Sequence, residues 1–288
     1  MLKQRVITAV VLIAAFGAAT VTLPPFWFAL LISAVILAAG REWSGLLGGD
    51  SSARPVYLMM IFVVGFTLFL WLEISPLRDF PEPTGTAIVL GLGLAFWLSV
   101  IFLLLGYPDN RKRWDSARVI GVMGLFALLP GLIGIVYLKY LDPTGHLVLA
   151  LVILVAAVDI GAYFTGRRFG RRQLAPKISP KKTWEGVWGG SALSIAVAVA
   201  FVWIMHRWLR PLAGLEILLL AVLAPALVAL CIIGDLLESM LKRNRQAKDS
   251  GSLLPGHGGL LDRVDSLLAA TPAFVLGMMF LFDESAGP

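Results

Sequence analysis

Charge is what this chain has least of. Only 15% of its 288 residues are Asp, Glu, Lys or Arg, whereas 58% are hydrophobic, and the mean hydropathy is +0.85. A soluble domain of this length carries roughly a quarter charged residues, so a water-soluble fold is excluded. The short alternating segments that build a membrane β-barrel are missing as well. Cysteine is nearly absent. Cys231 stands alone in an apolar run, so no disulfide can form within the chain and the redox compartment stays open. The sequence also lacks an internal repeat of clear period and a low-complexity tail.

What is present is a series of long apolar blocks. A helix needs about 20 apolar residues to cross a bilayer, and blocks at 6–23, 26–40, 56–72, 86–105, 119–140, 147–165, 188–206, 215–236 and 266–282 approach that length. They define an all-α fold class, a polytopic integral membrane protein with about nine spans. The second block is short and reads as partly interfacial. Lys3 and Arg5 before an apolar run ending near Gly17 imitate a signal-peptide start. Pro24-Pro25, followed at once by the next block, points instead to a tight helical hairpin. Two regions follow: 1–150, with about five spans, and 151–288, a catalytic region with polar loops at 166–187 and 237–265.

Basic residues in short loops set the orientation. With the N-terminus in the cytoplasm, segments 1–5, 41–55, 106–118, 166–187 and 237–265 face inward and hold 20 of the 24 lysines and arginines. Only Arg78, Lys139, Arg207 and Arg210 fall on the far side, with His146 and His206, to which no chemistry is assigned. The net charge of +6 is thus a one-sided membrane pattern rather than a nucleic-acid footprint. The compact chain, with no transit peptide at its start, points to a bacterial inner membrane.

The polar residues concentrate in two places on that inner side. Segment 239–265 carries five basic residues, the acids Asp249, Asp262 and Asp265, His257, and four glycines. Asp235 and Glu238, three apart, share a helix face that Ser239 and Lys242 continue. Asp262 and Asp265 repeat the spacing where the last span opens. Carboxylates gathered at one mouth repel each other unless a cation intervenes, and oxygen ligands suit Mg2+. Asp235, Asp262 and Asp265 are therefore candidate metal ligands; helix N-terminal capping is the alternative for the last two. Gly258 and Gly259 let backbone N–H groups approach phosphate. His257 reads as a phosphate or nucleotide contact, and Lys242, Arg243, Lys248 and Arg263 as its positive charge. Arg245 reads as solvent-facing.

In 166–187, seven basic residues accompany one acid. A membrane anchor needs charge alone, whereas Ser179-Pro180-Lys181-Lys182-Thr183-Trp184-Glu185 adds hydroxyls, a rigid turn and a carboxylate, which suits phosphate. Asp159 lies about six residues inside its span, roughly 9 Å below the boundary. An acid at that depth lines a cavity or pairs with a cation such as Arg167.

Ser239-x-x-Lys242-Arg243-x4-Lys248-Asp249-x-Gly251-x2-Leu254-Pro255-x-His257-Gly258-Gly259-x2-Asp262-Arg263-x-Asp265 resembles the signature of the phosphatidate cytidylyltransferases, or CDP-diacylglycerol synthases. The Asp159-x-x-Ala-Tyr-x-x-Gly-Arg run and the Ser179 to Gly186 run are similar to other parts of that family, as are Leu2 to Arg5 and Glu42-Trp43. The resemblance implies that phosphatidate and CTP give CDP-diacylglycerol and pyrophosphate in a homodimer. It also implies Mg2+ held by Asp235, Asp262 and Asp265, with a second, monovalent cation left open. Asp235, Asp262, Lys242 and Arg263 would be catalytic. Asp159, Arg167, Ser179, Lys182, Thr183, Glu185, Ser239, Arg243, Lys248, His257, Gly258 and Gly259 would bind substrate. The alternative from another class is an ion or lipid transporter with a charged cytoplasmic mouth, and the acids clustered at one end disfavour it. A CDP-alcohol phosphotransferase would carry a different aspartate motif, which is not found.

Overall fold

A computed structural model describes residues 2–48, 53–209, 211–253 and 258–282, with the side chains of 2–9 and 208–209 left aside. The helices are α1 (Leu2–Thr22), α2 (Pro25–Leu46), α3 (Ala53–Trp71), α4 (Pro83–Leu105), the single turn α5 (Arg111–Trp114), α6 (Ala117–Leu141) and α7 (His146–Phe169). A small antiparallel hairpin, β1 (Gln173–Ala175) and β2 (Ser179–Thr183), leads into α8 (Trp184–Ile204), α9 (Gly214–Asn244) and α10 (Leu261–Phe282). Eight of these helices are long and apolar enough to span a membrane, and α1 adds the shorter apolar stretch Val10–Thr22. Among the described residues they coincide with the nine predicted blocks.

Local chemistry sets the boundaries. Pro25 and Pro83 open α2 and α4 at positions where a helix has no use for the missing N–H. Glu82 caps α4 by accepting from Thr84 N and Gly85 N, Ser116 caps α6 through Val119 N, and Thr183 caps α8 through Gly186 N. α6 is apolar on every side and is accordingly the most buried helix, packed against α2, α4 and α10. α3 and α8 expose most of their length, the pattern of helices that face lipid.

Three expectations need correction. The second span is not short: α2 has 22 residues and runs through Arg41, Glu42 and Trp43, with Glu42 and Trp43 buried. Polar loop 237–265 begins much later, because α9 stays helical to Asn244 and carries Asp235, Glu238, Ser239 and Lys242 inside it. Polar loop 166–187 is largely ordered, with α7 reaching Phe169 and the hairpin filling most of the remainder. Residue 150 falls inside α7, and α10 packs on α2, α4 and α6 as well as α9, so the bundle is continuous across that point.

The basic loops do gather at one end. Arg243 Nε donates to Ile178 O at 3.2 Å, joining α9 to the hairpin. Arg245 does not face solvent: it donates to Leu46 O and Leu47 O, both at 2.8 Å, and pairs with Asp115 at 2.9 Å. At the opposite end, buried Lys139 donates to Thr20 O and Pro143 O, and Tyr140 donates to Ser75 O at 3.3 Å.

Candidate active site

A chamber of about 630 Å3 opens at the basic end between α7, β2, α8 and α9. Its α7–α8 wall depends on glycine. A Cβ at Gly161 would lie 2.5 Å from Gly189 O and 2.9 Å from Gly190 Cα, so the two backbones touch there and no side chain fits. Asp159, Tyr163 and Arg167 line the chamber from α7, Lys181, Lys182 and Thr183 from β2, and Cys231 and Asp235 from α9.

Two lysine–carboxylate clusters organise the polar mouth. In the first, Lys182 of β2 forms an ion pair with Asp235 of α9, whose Oδ1 also accepts from Ser239 Oγ at 3.2 Å. In the second, Lys242 pairs with Glu238 at 3.2 Å on its own helix and with Asp262 at the start of α10. Asp262 Oδ2 accepts from Ser250 N, Ser250 Oγ and Gly259 N, each at 3.0 Å. Asp265 joins the clusters: it interacts with both Asp235 and Glu238, and its Oδ1 accepts from Ser266 N at 2.7 Å. The ends of α9 and α10 therefore converge, as the spacing of their acids predicts.

The other predicted residues divide. Arg167 does not pair with Asp159; it donates to Tyr163 Oη at 2.8 Å and lies over that ring. Arg263 acts on Asp159 through its charge. Ser179 sits in the hairpin opposite Ala175 and Glu185 accepts from Arg171 N and Arg172 N, so both shape the segment and neither lines the chamber. Arg243 and Lys248 are exposed, and neither lines the chamber. Gly258 has φ +87°, a left-handed conformation that favours glycine. His257 lies outside the described residues. Sequence reading missed Tyr163, although its position four before Arg167 is the spacing that brings helix neighbours together. It also missed Cys231, whose apolar surroundings carry no signal.

The site offers a divalent cation an oxygen-only donor set. Among the described residues no three such side chains stand together in ligand geometry, and lysines pair with Asp235 and Asp262. Glu238 is buried, and its Oε1 has no partner. An unsatisfied buried carboxylate oxygen beside Asp262 and Asp265 fits a hard cation, which takes oxygen ligands.

The fold and the site together define a polytopic α-helical membrane protein with a chamber lined by lysine, arginine and carboxylate side chains at one end. The chain belongs to the cytidylyltransferase family, which matches residues 3–281. It is similar to proteins named phosphatidate cytidylyltransferase. That of Pseudomonas aeruginosa is 43% identical over 277 residues, covering 95% of this chain and 96% of the relative. That of Haemophilus influenzae is 38% identical, covering 95% and 97%. That of Thermotoga maritima is 29% identical, covering 84% of each. The protein is thus an enzyme, a membrane-embedded nucleotidyltransferase, and the transporter alternative falls away.

Proposed function

We propose that this enzyme transfers CMP from CTP to phosphatidate, giving CDP-diacylglycerol and pyrophosphate, at the cytoplasmic face of a bacterial inner membrane. The observation that carries the reading is the joined mouth, where Lys182 meets Asp235 and Lys242 meets Asp262 beside the chamber. The names of the relatives support the substrates, and the bacterial organisms support the compartment. The gathering of basic loops at the chamber end supports the cytoplasmic face. The same reading includes a homodimer, for which α8 offers an apolar face with Trp188 and Trp203 exposed.

The chemistry is an in-line displacement. A phosphate oxygen of phosphatidate attacks the α-phosphorus of CTP, a new P–O–P link forms, and the bond to the β-phosphate oxygen breaks as pyrophosphate leaves. The attacking phosphate is already ionised near neutral pH, so a strong general base is not required. Catalysis then rests on positioning and charge. Lys182 and Lys242 exchange their carboxylate partners for phosphate oxygens, and Arg167 and Arg263 add positive charge at the rim. Asp235, Asp262 and Asp265 would hold Mg2+, which when bound neutralises and aligns the triphosphate. The acyl chains remain in the bilayer while the headgroup reaches the mouth.

Purified protein given labelled CTP, Mg2+ and phosphatidate in detergent should yield labelled lipid and free pyrophosphate; no transfer would overturn the reading. Asp262→Asn should be expressed normally and lose CMP transfer. Near-normal turnover in that variant would refute the ligand assignment.

A further inference from the structure

Glu42 is buried at 5% exposure, although it sits near the end of α2 in a segment that hydropathy reads as loop. A buried carboxylate is retained only where donors meet it. Glu42 Oε2 accepts from Leu261 N at 2.8 Å, the first residue of α10, and from Ser250 Oγ at 3.2 Å. Both donors adjoin Asp262. Leu261 precedes it in the chain, and Ser250 donates its backbone N–H to Asp262 Oδ2 at 3.0 Å. The Ser250 hydroxyl lies within reach of both acids and has one proton, so it links them one at a time. The loop backbone presses against Glu42: a Cβ at Gly251 would strike its carboxylate, and one at Gly259 would lie 2.7 Å from Oε2.

Glu42 lines no part of the chamber, and its nearest connection to the chemistry runs through Asp262. We propose that Glu42 is a positioning residue for the transfer reaction: from α2 it holds Leu261 N and the Ser250–Gly251 turn so that Asp262 is presented to Lys242. This rests on the role given to Asp262 above. A second tie from the same helix supports it, since Leu46 O and Leu47 O accept from Arg245 at the other end of the loop. The final turns of α2 thus grip the active-site loop at both of its ends.

The required group is a hydrogen-bond acceptor of glutamate length. Glu42→Gln keeps that acceptor and should retain kcat, whereas Glu42→Met keeps the shape and removes it. Glu42→Met should lower kcat by roughly a hundredfold, the scale of a displaced catalytic group, with the KM for CTP little changed. Amide exchange at Leu261 and Ser250 should become faster in it. Gly251→Ala, which pushes the turn off Glu42 from the loop side, should lower kcat in the same way. It serves as the test where Glu42→Met does not fold. Wild-type-like kcat in Glu42→Met or in Gly251→Ala would overturn the proposal. So would a Glu42→Gln variant as inactive as Glu42→Met, or a loss that only follows the folded fraction measured by gel filtration in detergent. An inactive wild-type protein would instead overturn the functional reading on which the proposal rests.

Discussion

Lys182 and Asp235 neutralise each other in a half-buried setting, their side chains 26% and 34% exposed. Removing one partner strands the other charge, which costs about 3–5 kcal/mol in a fully buried pair and less where water still reaches it. Lys182→Met alone is therefore expected to lower the Tm in detergent, whereas Lys182→Met with Asp235→Leu should recover most of the loss while CMP transfer stays absent. A double variant no more stable than the single would show that the two charges are uncoupled. Asp159 and Asp235 were legible in the sequence because polar groups inside apolar spans are costly and few, and Lys242 and Asp262 because they belong to a dense polar cluster in an otherwise apolar chain. Glu42 did not stand out as a site residue. It lies beside Arg41 and near Gly48, where a polar residue looks like loop, and its partners are more than 200 residues away in the chain.

Helix ends were the elements read least well. Hydropathy places an end where charges begin, but Lys, Arg and Glu sustain a helix well, and α9 continues through Lys242 and Arg243 to Asn244. The β1–β2 hairpin carries no apolar alternation that would announce a strand. A clasp joins α5 to the end of α9: Asp115, just after α5, accepts from Arg111 Nε at 3.0 Å and pairs with Arg245. Burial alone would raise the Asp115 carboxyl, but the hydrogen bond from Arg111 Nε, the polar Asn244 side chain nearby and the charges of Arg245 and Arg111 outweigh it and hold the group below the ordinary carboxylate range. A depressed folded value means stability that is present above the unfolded value and lost as pH falls through the folded one. The Tm advantage of the wild type over Asp115→Asn should be constant near neutrality and shrink only below the ordinary carboxylate range. An advantage that grows on acidification would contradict the clasp.

At the scale of the molecule, the nine long helices among the described residues alternate between a basic end with the chamber and an end where Lys139 and Tyr140 tie the turns together. That alternation was readable from the lysines and arginines alone. The helix contacts that wall the chamber were not, since hydropathy records lengths and not neighbours. α9, about 46 Å long at 1.5 Å per residue, exceeds a hydrocarbon core of about 30 Å, an excess that tilt or emergence of a helix end absorbs. With Cys231 replaced by Ala, single cysteines at exposed Lys177 and Arg78 should react with impermeant maleimide from opposite sides of the membrane. Labelling of both from one side would refute the orientation. The backbone crossing at Gly161 and Gly190 also bears on how the gene can change. Drift among apolar codons is nearly free at Val63 or Phe66 on the outer surface of α3. At the crossing even one added methyl group parts two helices and, with them, Asp159 from Lys182, so descendants of this enzyme inherit those two positions or lose the reaction.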